Sequence, residues 1–269
     1  MTIPWGYLGL AFVLSLSVSA LGFKRVYYFI SLCYAGTLAA QGVLIWLTHQ
    51  DTLAGGPWLL TLLLIAYGVR LGLFLWRRQR NPAYAKELAA VEQRTAPIRN
   101  EQKAAIWLGV GVLYTLLAWP VWLVASAQEQ GQATTSVFFG VLVMIAGLGI
   151  ESVADWQKSS FKAAQPSRYC DIGLYQIVRF PNYFGEMVFW FGVWLAGISA
   201  YETVLVWILA TTALVYVLLL MVGAARSLEA KQDERYGADP RYQDFVKAVP
   251  VLFPRLPVYT LRGIKIPIR

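Results

Sequence analysis

The sequence predicts an all-α, polytopic membrane protein with seven transmembrane helices, its N-terminus outside and its C-terminus cytoplasmic. Three observations carry this. Hydrophobic residues make up 58% of the chain and charged residues only 14%, a balance no soluble domain of 269 residues needs. The apolar residues gather into seven runs, about 3–23, 26–48, 58–76, 104–126, 135–152, 183–200 and 203–224. Each approaches the roughly 20 residues that cross a hydrocarbon core about 30 Å thick. Finally, the basic residues sort by side. Lys24 and Arg25 follow span 1, Arg77 to Lys103 follow span 3, Lys158 to Arg179 follow span 5, and the rest but one lie in the tail from Arg226. The alternate loops, around Asp51, Glu129 and Glu202, hold no Lys or Arg. The positive-inside rule places the basic side in the cytoplasm. The exception is Arg70, inside span 3.

Span 1 is apolar throughout, starts at residue 3 without a basic leader, and is expected to stay in the membrane as a span. Span 2 carries Gln41 near its middle, and a lone intramembrane amide either ties helices together or serves a site. Span 3 carries Tyr67 and Arg70 three residues apart, hence on one face. A buried phenol beside a cation is a candidate proton donor; the alternatives are core packing for Tyr67 and snorkelling for Arg70. After the basic stretch Arg77 to Arg80, residues 84–100 read as a short amphipathic surface helix ending near Pro97. Span 4 is Trp- and Leu-rich, with Pro120 as a kink, and reads as scaffold.

Three helix ends then bring one-faced polar sets to the basic side. Span 5 runs out through Glu151, Asp155, Lys158 and Lys162, at spacings of four, three and four. The stretch Gly173-Leu-Tyr175-Gln-Ile-Val-Arg179-Phe-Pro181-Asn182-Tyr-Phe-Gly185-Glu186 opens with a glycine turn and places Pro181 in the first turn of span 6. Arg179, Asn182 and Glu186 share its face. Span 7 runs out through Arg226, Glu229 and Asp233, and an aromatic segment from Asp239 to Pro254 is suited to the membrane surface. Structural ion pairing explains any one of these sets; all three together suggest a site for an anionic ligand. The net charge of +8 sits on one membrane face, which fits lipid headgroups or a phosphorylated ligand and gives no nucleic-acid stripe. Cys33 and Cys170 make no disulfide or metal motif, and the single histidine, His49, lies at the outer end of span 2, so no metal site is expected.

Over span 3 to the tail, and most specifically over Gly149–Glu186, the sequence resembles the steroid 5α-reductase family in its bacterial branch. The Gly-Leu-Tyr…Asn182-Tyr-Phe-Gly185-Glu186 pattern carries the resemblance, with Asp155, Lys162 and Tyr169 at successive spacings of seven. It implies a multi-pass enzyme of the bacterial inner membrane, acting as a monomer and using NADPH to reduce the carbon–carbon double bond of a 3-oxo-Δ4-steroid or a similar lipid enone. Residues 1–126 would form the lipid-substrate side and 135–269 the cofactor side of one membrane domain. The resemblance implies that Asp155, Lys162, Tyr169, Asn182, Glu186 and Arg226 contact the cofactor. It adds Glu151 where the family has Asn, Glu229 where some members have His, Arg78 or Arg80 near the adenosine phosphates, and Tyr175 and Arg179 in the same stretch. Lys162 replaces the usual Arg and so loses a bidentate fork. Tyr67 matches the catalytic tyrosine. Its usual partner, a Glu after a Gln in span 2, is missing: Gly42 follows Gln41, which leaves Tyr67 to work with Gln41 or without a carboxylate. Two rivals stand beside this reading: an S-adenosylmethionine-dependent methyltransferase of the isoprenylcysteine type, sharing an Arg-x-Pro-x-Tyr-x-Gly core, and a lipid-binding or transport protein without catalysis.

Overall fold

A computed structural model describes residues 5–81 and 84–263, apart from the side chains of Lys86 and Glu87. Among the described residues the regular structure is helical, in the order α1 (Trp5–Ser19), α2 (Leu32–Thr48), α3 (Gly55–Arg80), α4 (Ala85–Thr95), α5 (Asn100–Glu129), α6 (Ser136–Ala164), α7 (Pro181–Gly197), α8 (Val204–Tyr236) and α9 (Pro240–Ala248). Counting the helical turns that extend α1, α2 and α7, seven segments are long and apolar enough to cross a membrane. They fall on the seven runs read from sequence. The helices outlast the apolar runs where polar residues still favour helix: α5 starts at Asn100, α6 continues to Ala164 and α8 to Tyr236. The amphipathic α4 ends at Thr95, just before Pro97. Pro120 lies inside a helix that runs unbroken to Glu129.

The chain divides into two compact units, Met1–Val141 with Val193–Ala213, and Leu142–Gly192 with Leu214–Arg269. The first unit is built around α5. Of its apolar window 72% is buried, against 22% for α1, and Trp119 and Trp122 are almost fully enclosed. Lipid tails give helices no hydrophobic reason to associate, so small residues and polar contacts do the joining. The α2–α3 contact shows the first device. A side chain on Gly68 would come within 2.5 Å of the Ala39 backbone nitrogen and 2.6 Å of the Ala35 carbonyl oxygen, so the two backbones touch there. Gly42, one turn on, faces Ile65. The α1–α2–α5 contact shows the second. The Gln41 amide donates to the Ala11 carbonyl (2.6 Å) and to Ser15 Oγ (2.9 Å), and its carbonyl accepts from Trp122 Nε1 (2.8 Å). Thr115 Oγ1 joins Ser15 Oγ at 3.0 Å.

In the second unit, α6 and α7 meet through Gly147 and Gly185. A side chain on Gly147 would reach within 2.4 Å of the Phe189 nitrogen, and one on Gly185 within 2.6 Å of the Glu151 nitrogen. Gly173 turns the chain with φ +56°, a conformation that disfavours a side chain, and Gln157 Oε1 accepts the next N–H, of Leu174, at 3.0 Å. Pro181 opens α7, as its fixed φ and absent N–H predict. Asp239 caps α9 by accepting from the Arg241 N–H at 2.9 Å, ahead of Pro240.

Candidate functional site

In the first unit the residue of interest is Tyr67, on α3 and wholly buried. Its hydroxyl lies 3.3 Å from that of Tyr34 on α2, and the Arg70 guanidinium lies 5.9 Å from its ring centre. The one-faced placement of Tyr67 and Arg70 thus holds. The hydrogen bonds of Gln41 described above go to residues other than Tyr67. Three of its four hydrogen-bonding positions are committed to α1 and α5, which makes it interhelical glue. Gly42 cannot give way to a glutamate, because its Cβ would meet Ile65 Cγ1 at 2.5 Å in the tight α2–α3 contact. The hydroxyl of Tyr34 was not legible as a partner. The only sequence signal for it is a tyrosine early in an apolar span, flanked by Cys33 and Ala35.

Arg78 and Arg80 end α3. The Arg78 guanidinium sits 4.8 Å from the Tyr84 ring centre, and that of Arg80 sits 3.9 Å from the ring centre of Trp76, an exposed aromatic at a helix end. Such Arg–Trp stacking suits a membrane–water boundary.

The second unit gathers the remaining expected residues around the start of α7 and the ends of α6 and α8. On α6, Glu151 and Asp155 are buried; on α7, so is Glu186. The Gly185 contact places the backbone of Glu151 directly beside α7. Tyr175 is buried, with its hydroxyl 3.4 Å from the Ala154 carbonyl. Arg179 is the best-enclosed cation, 2% exposed. Its Nη2 donates to Glu229 Oε1 (2.9 Å) and to the Tyr259 carbonyl (2.5 Å). The second oxygen of Glu229 accepts the Leu261 N–H at 2.9 Å. The Arg179 and Phe180 N–H groups donate to the carbonyls of Pro250 (2.9 Å) and Val251 (3.1 Å). Residues 249–262 therefore form a strap laid across the start of α7 and the end of α8. It is fastened by the buried Arg179–Glu229 pair and, further out, by Arg262 on Asp233. Val251, Leu252 and Leu261 of the strap pack with Phe180, Met187 and Ala225 in one apolar layer. Glu229 thus acts as the strap's anchor, a role its sequence position did not suggest.

Lys162 is also engaged. Its ammonium donates to Tyr236 OH (2.8 Å), to the Pro166 carbonyl (3.4 Å) and to the Arg168 carbonyl, closing the loop after α6. Tyr169 packs among Tyr236, Tyr242 and Phe245, with ring centres 5.1–5.8 Å away. Burial pushes its phenol above the ordinary value, and does the same to the neighbouring Cys170 thiol. Burial, then the hydrogen bond to Asp233 (2.8 Å), raises Tyr242 further.

Three polar atoms near the start of α7 remain buried without a hydrogen-bond partner among the described residues: Arg179 Nε, Arg179 Nη1 and Asn182 Oδ1. A buried guanidinium with two unpartnered nitrogens is costly unless something accepts from them. These groups sit at a helix N-terminus, where backbone N–H groups and the helix dipole also favour an anion. Arg226 lies half-buried on α8, one turn before Glu229. An anionic group would satisfy the Arg179 guanidinium, and the Asn182 carbonyl can accept from a donor.

The fold and these buried polar groups define an integral membrane protein with a charged, partly enclosed cluster at one end of its helices. A family model described as "Protein of unknown function (DUF1295)" matches residues 22–249, and the chain belongs to that family. A search of curated proteins and a search of solved structures each found no match.

Proposed function

We propose that the protein is an NADPH-dependent membrane oxidoreductase that reduces the conjugated double bond of a lipid enone, of which a 3-oxo-Δ4-steroid is the type. The observation that carries the reading is that two buried Arg179 nitrogens, Nε and Nη1, and the Asn182 carbonyl oxygen have no hydrogen-bond partner among the described residues at the start of α7. Support also comes from the resemblance of Gly149–Glu186 to the steroid 5α-reductase family, and from Tyr67, a phenol enclosed in apolar helices. What a bound NADPH supplies is one hydride, for the β-carbon of the enone. The residues of the chain do the rest. Arg179, Asn182 and Arg226 hold the anionic cofactor. Asp155, Glu151 and Glu186 accept from its hydroxyls and amide. Tyr67 donates a hydrogen bond to the enone carbonyl, where negative charge gathers as the π pair shifts. A fixed donor in a dry site stabilises that charge without reorganisation. A solvent proton at the α-carbon completes the saturated ketone. The basic helix ends face the cytoplasm of a bacterial inner membrane, the lipid substrate arrives from the bilayer, and the monomer suffices.

The rival reading is an S-adenosylmethionine-dependent methyltransferase. It needs a cation rather than a phosphorylated anion to sit near Arg179. Ligands that bind only the folded state raise its thermal midpoint. For the detergent-purified protein, saturating NADPH at about 100 times its Kd is expected to stabilise by about 2.7 kcal/mol, visible as a raised midpoint. S-adenosylmethionine is expected to leave the midpoint unchanged. The reverse pattern would favour the methyltransferase.

A further inference from the structure

Tyr34 and Tyr67 are held together by the backbone rather than by each other. Gly68 on α3 packs directly against the backbone of Ala35 and Ala39 on α2. Tyr67 directly precedes Gly68 and Tyr34 directly precedes Ala35. This tight backbone contact is therefore one residue from both phenols. Tyr34 is fixed from its other side as well. Its ring lies 5.3 Å from that of Tyr114, whose hydroxyl is tied to the Phe29 carbonyl at 2.5 Å. The Tyr34 and Tyr67 rings meet edge to face, 6.4 Å apart at 81°. Their oxygens stand 3.3 Å apart, longer than the usual hydroxyl pair of about 2.7–2.8 Å but within reach of it. Contacts of this kind tighten when a reacting group is bound.

We propose that Tyr34 is a positioning residue for Tyr67, donating a hydrogen bond to the Tyr67 oxygen so that the Tyr67 proton points at the substrate carbonyl. This rests on the reading of Tyr67 given above. Each hydroxyl has one proton and can also accept. A Tyr67 that donates to a carbonyl must leave its own oxygen to be an acceptor, and Tyr34 O–H is at hand to fill it. Donation into a phenol oxygen strengthens that phenol as a donor. Tyr34 keeps its proton throughout, and no group beyond the chain and the enone is required. The phenol thereby takes the place of the carboxylate that the Gly42–Ile65 contact shuts out.

The test uses the full-length protein in detergent and an enone steroid labelled with ¹³C at its carbonyl, bound without cofactor and read by infrared difference spectroscopy. In the wild type the carbonyl band is expected below its position in an apolar solvent, and in Tyr67→Phe that displacement is lost. In Tyr34→Phe, which keeps the ring and its packing on Tyr114, the displacement is expected to shrink by roughly 10–30%. In turnover with NADPH, Tyr34→Phe is expected to lower kcat about tenfold with KM for the enone little changed, the mark of an interaction that matters in the transition state. A Tyr34→Phe band and kcat equal to wild type would overturn the pairing while leaving Tyr67 in place. A wild-type band with no displacement would overturn the pairing and the role of Tyr67 together.

Discussion

Arg179→Ala is expected to destabilise the protein by about 3–5 kcal/mol, the usual cost of removing one member of a buried ion pair. The side chains of Arg179 and Glu229 are 1% and 3% exposed, so water cannot solvate the carboxylate left behind. More is lost than the pair. Glu229 also accepts the Leu261 N–H, and Arg179 also donates to the Tyr259 carbonyl, so the strap over residues 249–262 loses its inner fastening. The change is read as a lowered thermal midpoint in detergent, together with faster tryptic cleavage at Arg255 and Arg262. Replacing both partners at once, Arg179→Met with Glu229→Leu, is expected to recover much of the stability, because two apolar side chains in that volume bury no unpaired charge. It is not expected to recover cofactor binding, since the Nε and Nη1 donors are gone. That split separates Arg179's two tasks. An Arg179→Ala protein as stable as wild type would show the pair to be dispensable.

Tyr67→Phe is expected to have the largest catalytic effect, lowering kcat for enone reduction by about 10²–10³, as the loss of one preorganised donor to a developing oxyanion does. The affinity for NADPH is expected to stay the same, because nothing in the role of Tyr67 involves the cofactor's phosphates. The phenyl ring of the variant keeps its place against Tyr34 and Arg70, so the fold is retained. Steady-state kinetics with a panel of enones, with NADPH binding measured separately, gives both numbers. Undiminished turnover in Tyr67→Phe would remove Tyr67 from the mechanism.

Much of this architecture was written in local patterns. Spans show as apolar runs, α4 as an amphipathic one, and the Gly173 turn and Pro181 start as residues with strong backbone preferences, so each was readable from its own stretch. The face shared by Tyr67 and Arg70 follows from helical spacing alone. What sequence could not show shares one cause: partners far apart in the chain. The contacts of Gln41 reach Ser15, 26 residues away, and Trp122, 81 residues away. Nothing local announces the Leu261 N–H as a donor to Glu229, or the Tyr236 hydroxyl as an acceptor from Lys162. The strap was invisible for the same reason, since residues 249–262 contain no helix and take their shape from Arg179, Phe180 and Glu229. Tyr34 escaped notice because its meaning depends on the backbone contact between Gly68 and Ala35.

The central claim is that the protein moves a hydride from a nicotinamide to a lipid enone, and isotope transfer tests it most directly. The purified protein would be incubated with an enone steroid and NADPH carrying deuterium at the transferable C4 position, and the product analysed by mass spectrometry and NMR. The account predicts a saturated ketone bearing one deuteron, located at the former β-carbon. Unreduced enone, or a product methylated from S-adenosylmethionine in a parallel incubation, would contradict it.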